Sequence, residues 1–179
     1  MGAPEIVASK DPEAFQQRVI GLGKLTSSFH GLEFMLRAFL YKHQTPKAQR
    51  FPWGQDFYAH PLDAVVPLNA ITNFSTLGEL IKRYNLFIAT AHQDALRIDA
   101  RVVAVRNALA HGRVSAPGES ETVELITFSR PSKNEPNRVR VSFRAQLTSE
   151  WLNSQAKHVQ EQTLLVAKAY EIIPEPHVA

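Results

Sequence analysis

The chain reads as mainly α, a bundle of four to five helices with a β-hairpin set in before the last of them. Three observations predict this. Apolar residues recur three and four positions apart over most of the length. The period changes to two in one stretch, between residues 122 and 144. A length of 179 residues leaves room for one domain at about 150 residues each, placed at 11–173 between a tail at 1–10 and another at 174–179.

Asp11-Pro12-Glu13 starts the first helix, with an acceptor at the N-cap, proline at the first helical position and an acid near the positive end of the dipole. Phe15, Val19, Leu22, Leu25, Phe29, Leu32, Leu36 and Phe39 then mark one face as far as about His43. Gly21, Gly23 and Gly31 within it predict a bend or a close helix crossing. Prolines 46, 52, 61 and 67 break the stretch 44–74, which also carries Phe51, Trp53, Phe57 and Tyr58 and has room for a turn of helix around Leu62 to Val66. Ser75 is the expected cap of a second helix, with Leu77, Leu80, Ile81 and Tyr84 on one face and an end near Asn85. A third helix is expected from about Thr90 to His111, burying Ala95, Ile98, Val102, Val105 and Leu109 and stopped by Gly112. Alternation through Val123, Leu125 and Thr127, and again through Val139, Val141 and Phe143, predicts the two hairpin strands around a Pro131-to-Asn137 turn. Thr148 opens the last helix, whose face is Leu152, Ala156, Val159, Val166 and Tyr170, before Pro174.

Composition removes whole classes of chemistry. With no cysteine there is no disulfide framework, cysteine zinc site, iron–sulfur cluster or thiol nucleophile, and a reducing compartment fits. Neither a signal peptide nor an apolar run of membrane-spanning length is legible, so the expected location is the cytoplasm, away from membranes. The net charge of +3 permits a polyanionic partner without requiring one. His30-x-x-Glu33 and His158-x-x-Glu161 run opposite to the order used in carboxylate metal bundles, and phosphate-loop, dinucleotide and serine-hydrolase fingerprints are missing. No metal and no cofactor is expected.

The string Arg106-Asn107-Ala108-Leu109-Ala110-His111-Gly112 ends an amphipathic segment. An arginine, a polar residue after it and a histidine at the end of such a helix resemble the signature of HEPN domains, and the order of helices from about Phe15 to Tyr170 agrees. Arg37 and His43 also satisfy an arginine-to-histidine spacing of that kind, but Ala38 follows the arginine there and no glycine follows the histidine. The resemblance implies a homodimeric, metal-independent endoribonuclease, a toxin or defence effector, with RNA as substrate and an antitoxin or other regulatory protein as a further partner. It places Arg106, Asn107 and His111 in the catalytic site. The physical chemistry is consistent: histidine titrates near neutrality and moves protons, arginine presents a charged fork to phosphate, and Asn107 lies four residues before His111 on the same helix face. The alternative is a catalytically silent HEPN-like module that binds nucleotide, RNA or protein. A plainer one has His111 complementing the helix dipole above a glycine stop.

HEPN enzymes often place an acid four residues before a base in the first helix, and Glu33 and Arg37 have that spacing; they form either a simple i,i+4 ion pair or a support that orients Arg106 or His111. Arg113 stands where members silenced by nucleotidylation often carry tyrosine. Arg97, Arg101 and Arg113 around the motif helix, and Arg138, Arg140 and Arg144 on the hairpin, are the candidate RNA-binding residues, the other reading being a solvated charged face. Trp53, Phe57 and Tyr58 serve either to pin the long connection or to stack bases.

Overall fold

In a computed structural model, which describes residues 11–46, 50, 60–115 and 123–175, the chain is mainly helical with a small antiparallel sheet. The helices are α1 (Pro12–Gln44), α2 (Leu77–Thr90), α3 (Val102–His111) and α4 (Ser149–Ile172), and the strands are β1 (Arg113–Ser115), β2 (Glu124–Phe128) and β3 (Val141–Gln146). The 1–10 tail, residues 176–179 and Phe51, Trp53, Phe57 and Tyr58 lie outside the described residues. Contacts group the chain into two compact units, one made of residues up to Phe29 with Arg101–Val159, the other of His30–Ala100 with the chain from Gln160 on.

In the first unit α1 begins as its sequence dictates: Asp11 Oδ1 accepts from the amides of Glu13 and Ala14, both at 3.0 Å. The expected close crossing occurs at Gly21, where a Cβ would stand 3.0 Å from the Leu152 Cβ of α4. Phe15 and Val19 share the apolar face of this helix, yet they are 55% and 50% exposed, and burial on it starts at Gly21 and Leu25. Thr148 caps α4 by accepting from the Trp151 amide at 3.1 Å, and Leu152, Ala156 and Val159 pack inward. The two hairpin strands form where alternation places them, as β2 and β3, with Leu125 buried. A third strand lies outside the alternating stretch. Only three residues long, β1 leaves Gly112 and pairs antiparallel with β2, Arg113 opposite Ile126, so the sheet order is β1-β2-β3.

In the second unit Leu32, Leu36, Phe39 and Leu40 of α1 and Leu77, Leu80, Ile81, Tyr84 and Ile88 of α2 supply the core. The cap of α2 is Thr76, not Ser75. Thr76 and Glu79 make a full capping box, the Glu79 amide donating to Thr76 Oγ1 at 3.3 Å and the Thr76 amide to Glu79 Oε2 at 2.7 Å. Residues Leu62 to Val66 make a turn and no helix.

The expected helix from Thr90 to His111 is broken in the middle. α2 continues past Asn85 to Thr90, His92 takes a positive φ of 54°, a short 3₁₀ turn spans Asp94–Leu96, and α3 starts only at Val102. Side chains of α2 hold the interrupted backbone: Tyr84 donates to Leu96 O at 2.9 Å, and Asn85 exchanges two hydrogen bonds with Ile98, at 2.9 and 3.0 Å. These tertiary bonds replace the helical ladder that periodicity alone predicts. Ala95 is consequently exposed, and on α3 the fully buried positions are Val102 and Ala108, while Val105 and Leu109 are half-buried.

Candidate functional site

The motif occupies the last turns of α3. Asn107 and His111 are exposed, Arg106 is partly so, and Arg106 Nη1 stands 3.5 Å from Asn107 Oδ1. Asn107 and His111, one turn apart, share an open face. The cationic fork of Arg106 is tied only to its neutral neighbour, so its charge is not neutralised by a carboxylate among the described residues.

Gly112 ends the helix by close approach and not by a left-handed turn. Its φ is −71° and ψ 164°, extended backbone, and its amide donates to Ala108 O at 2.7 Å. A Cβ built on it would collide with Ala108 O and lie 2.5 Å from Leu125 Cδ1. The glycine therefore lets β2 come up against the end of the motif helix. Gly112→Ala is expected to cost about 1–3 kcal/mol of stability through overpacking; chemical denaturation checks this, and an unchanged midpoint contradicts the close approach.

Glu33 and Arg37 form the ion pair of the two roles set out for them, at 2.8 Å. Arg37 is much more than half of a surface pair. Its guanidinium also donates to Ala70 O, Asn73 O, Asn73 Oδ1 and Ser75 O at 2.9–3.2 Å, which fastens the segment before α2 onto α1. The second arginine-to-histidine match is thus built into the core of the second unit. His43 is 6% exposed, its ring 4.4 Å from Phe39 and 5.0 Å from Phe87, and among the described residues neither of its nitrogens has a hydrogen-bond partner.

Burial, with the neighbouring Lys42 ammonium, pushes the His43 imidazole down to about 4. The unfolded chain takes up this proton near the usual 6.5 and the folded chain does not, so stability is expected to fall as the pH drops from about 6.5 towards 4, by on the order of 3 kcal/mol. His43→Leu removes both unpartnered nitrogens. It should unfold at higher denaturant than wild type, with the gap widening at pH 5; equal pH profiles for the two proteins would contradict the buried neutral ring.

The remaining arginines do not line one helix. Arg97 follows the 3₁₀ turn and pairs with Asp94 at 3.0 Å, Arg101 precedes α3, and Arg113 opens β1. Arg138, Arg140 and Arg144 are exposed around the hairpin; Arg140 stands 3.5 Å from Glu135 and Arg144 3.7 Å from Glu124. The Arg113 guanidinium lies over the Phe128 ring at 5.4 Å. Phe128 carries no functional signal in the sequence; its proximity to the motif follows from β1, a strand that the alternation pattern does not announce.

A cleft of about 270 Å³ at the start of α4 is lined by Ala14, Arg18 and residues 146–149 with Val123, none of them motif residues. Among the described residues no three His, Asp or Glu side chains are grouped so as to hold a metal ion, and no helix is long and apolar enough to cross a membrane. Comparison with family models, curated proteins and solved structures finds no match to this chain.

Proposed function

We propose that the chain is a HEPN-like, metal-independent endoribonuclease whose catalytic residues are Arg106, Asn107 and His111. One observation carries the reading. Of the two arginine-to-histidine matches, only this one presents its histidine and its polar companion to solvent at a helix end, beside an arginine that has no carboxylate partner among the described residues.

On this reading a histidine takes the proton from a ribose 2′-hydroxyl, the 2′-oxygen attacks the adjacent phosphorus, and the 5′-oxygen leaves with a proton from an acid. The products are a 2′,3′-cyclic phosphate and a 5′-hydroxyl. Arg106 binds the phosphate oxygens as their charge grows, and Asn107 orients the phosphate or the imidazole. Each chain contributes one motif histidine, whereas the reaction uses a base and an acid. The active form is therefore a homodimer, twice the 20.1 kDa chain, that brings two α3 ends together about a two-fold axis. Exposed Phe15 and Val19 in the same unit give such a pair apolar surface to cover. The role is that of a cytoplasmic toxin or defence effector restrained by an antitoxin or other regulatory protein.

Purified protein incubated in EDTA with structured and unstructured RNA tests the reading. Wild type should cut and His111→Ala should not. If both are inert yet bind RNA, the chain is a silent binding module.

A further inference from the structure

The three-stranded sheet grows directly from the motif. Gly112 joins His111 to Arg113, and the antiparallel register places Arg113 opposite Ile126 and Ile126 opposite Arg144, a rung with a guanidinium at each edge. Two strand spacings separate those edges, about 10 Å. Because β1 and β2 run antiparallel, the end of β2 that carries Phe128 is the end at which β1 emerges from the helix. On the other side Phe128 pairs with Val141, and the Ser129 amide donates to Arg140 O at 2.8 Å while Ser129 Oγ accepts from the Arg140 amide at 3.2 Å, so Arg140 belongs to that end too, on the opposite face.

Three properties of this end point to a ligand class. Phe128 is 42% exposed although it is a large aromatic on a strand, and the Arg113 guanidinium lies over it, making a flat cationic and aromatic platform. Among the described residues Arg113 has no carboxylate partner, and those of Arg140 and Arg144 are at the outer limit of an ion pair, at 3.5 and 3.7 Å. Residues 123–146 hold five Lys or Arg against two Glu, an excess equal to the net charge of the whole chain, so the rest of the sequence is electrically balanced. A surface that is basic, open and aromatic at one point complements a polyanion carrying exposed π-faces. A duplex hides those faces in its own stack; a single strand offers them.

We infer that the face of the sheet carrying Arg113, Phe128 and Arg144 docks single-stranded RNA, with one unpaired base stacked on Phe128 and neighbouring phosphates on Arg113 and Arg144. The strand is thereby held beside His111. The assignment rests on the ribonuclease reading of that histidine and names the substrate class of the same site.

The test uses the full chain and a fluorescein-labelled single-stranded RNA of about 12 nucleotides, 2′-O-methylated throughout so that no 2′-hydroxyl is available for cleavage. Its duplex form is the comparison. The single strand should bind about tenfold more tightly than the duplex. Phe128→Leu, which keeps apolar bulk and loses the ring, should weaken binding about tenfold, and Phe128→Tyr should restore it. Arg113→Gln and Arg144→Gln should each reduce the slope of log affinity against log salt by about 0.7. Wild-type affinity in Phe128→Leu, or preference for the duplex, overturns the inference. If natural RNA is cut but Phe128→Leu and Arg113→Gln alter neither probe affinity nor the KM for cleavage, the docking surface falls and the ribonuclease reading stands. If no RNA is cut yet the probe binds with the expected losses, the ribonuclease reading falls and the docking surface stands.

Discussion

His111→Ala should lower the rate of RNA cleavage by about 10²–10⁴-fold, the contribution of a positioned proton-transfer group. The same substitution should leave the unfolding midpoint almost unmoved, because the side chain is exposed at the end of α3 and makes no hydrogen bond to another described residue. Surface positions of this kind shift stability by about 0.5 kcal/mol or less. The pairing of a large kinetic loss with a negligible stability change separates a catalytic histidine from one that only complements a helix end. Arg106→Lys keeps the charge and loses the planar fork, so it should recover only part of the activity lost in Arg106→Ala. Single-turnover cleavage assays beside chemical denaturation measure both quantities. Full activity in His111→Ala contradicts the assignment.

Arg37→Ala should produce the largest loss of stability, about 3 kcal/mol. The side chain is only 14% exposed, and its guanidinium meets five acceptors: Glu33 Oε1, Ala70 O, Asn73 O, Asn73 Oδ1 and Ser75 O. Removing it leaves three backbone carbonyls and a partly buried carboxylate without their donor. Arg37→Lys should recover little, since an ammonium has three donors and no fork to span α1 and the segment before α2. Denaturant unfolding checks this; a loss below about 1 kcal/mol, the usual worth of an exposed pair, would reduce Arg37 to a surface residue.

Features whose cause is local were legible in the sequence. Asp11 and Thr148 cap the helices that follow them, and the period-two stretch forms β2 and β3. The cap of α2 is equally local, since Thr76-Leu77-Gly78-Glu79 has the capping-box spacing, although the neighbouring Ser75 is also a capping residue type and is the one expected there. The break between Thr90 and Val102 has no local signal. Apolar spacing continues across it, and Tyr84, Asn85 and Gln162, distant in sequence, supply bonds that let the chain leave the helix. Exposure of Phe15 and Val19 is likewise invisible to a periodicity that says which residues share a face and not whether anything covers it.

The candidate site divides in the same way. Arg106, Asn107, His111 and Gly112 lie within two turns of one helix, so their common placement follows from spacing alone. What distinguishes His111 from His43 is tertiary: Phe39 and Phe87 enclose one ring, and among the described residues no aromatic ring stacks on the other, which is exposed. The Glu33–Arg37 pair was legible as a pair, while the reach of Arg37 to residues 70–75 depends on the fold. Gly112 was legible as a stop; that its missing Cβ makes room for Leu125 was not.

The chemistry of the cut ends tests the central claim most directly. A defined RNA digested by wild-type protein in EDTA should give, by mass spectrometry, fragments ending in 2′,3′-cyclic phosphate and beginning with 5′-hydroxyl, as attack by the ribose 2′-oxygen requires. Fragments with 3′-hydroxyl and 5′-phosphate ends, or cyclic-phosphate ends formed equally by His111→Ala, would contradict a site in which His111 moves the proton and Arg106 holds the phosphate.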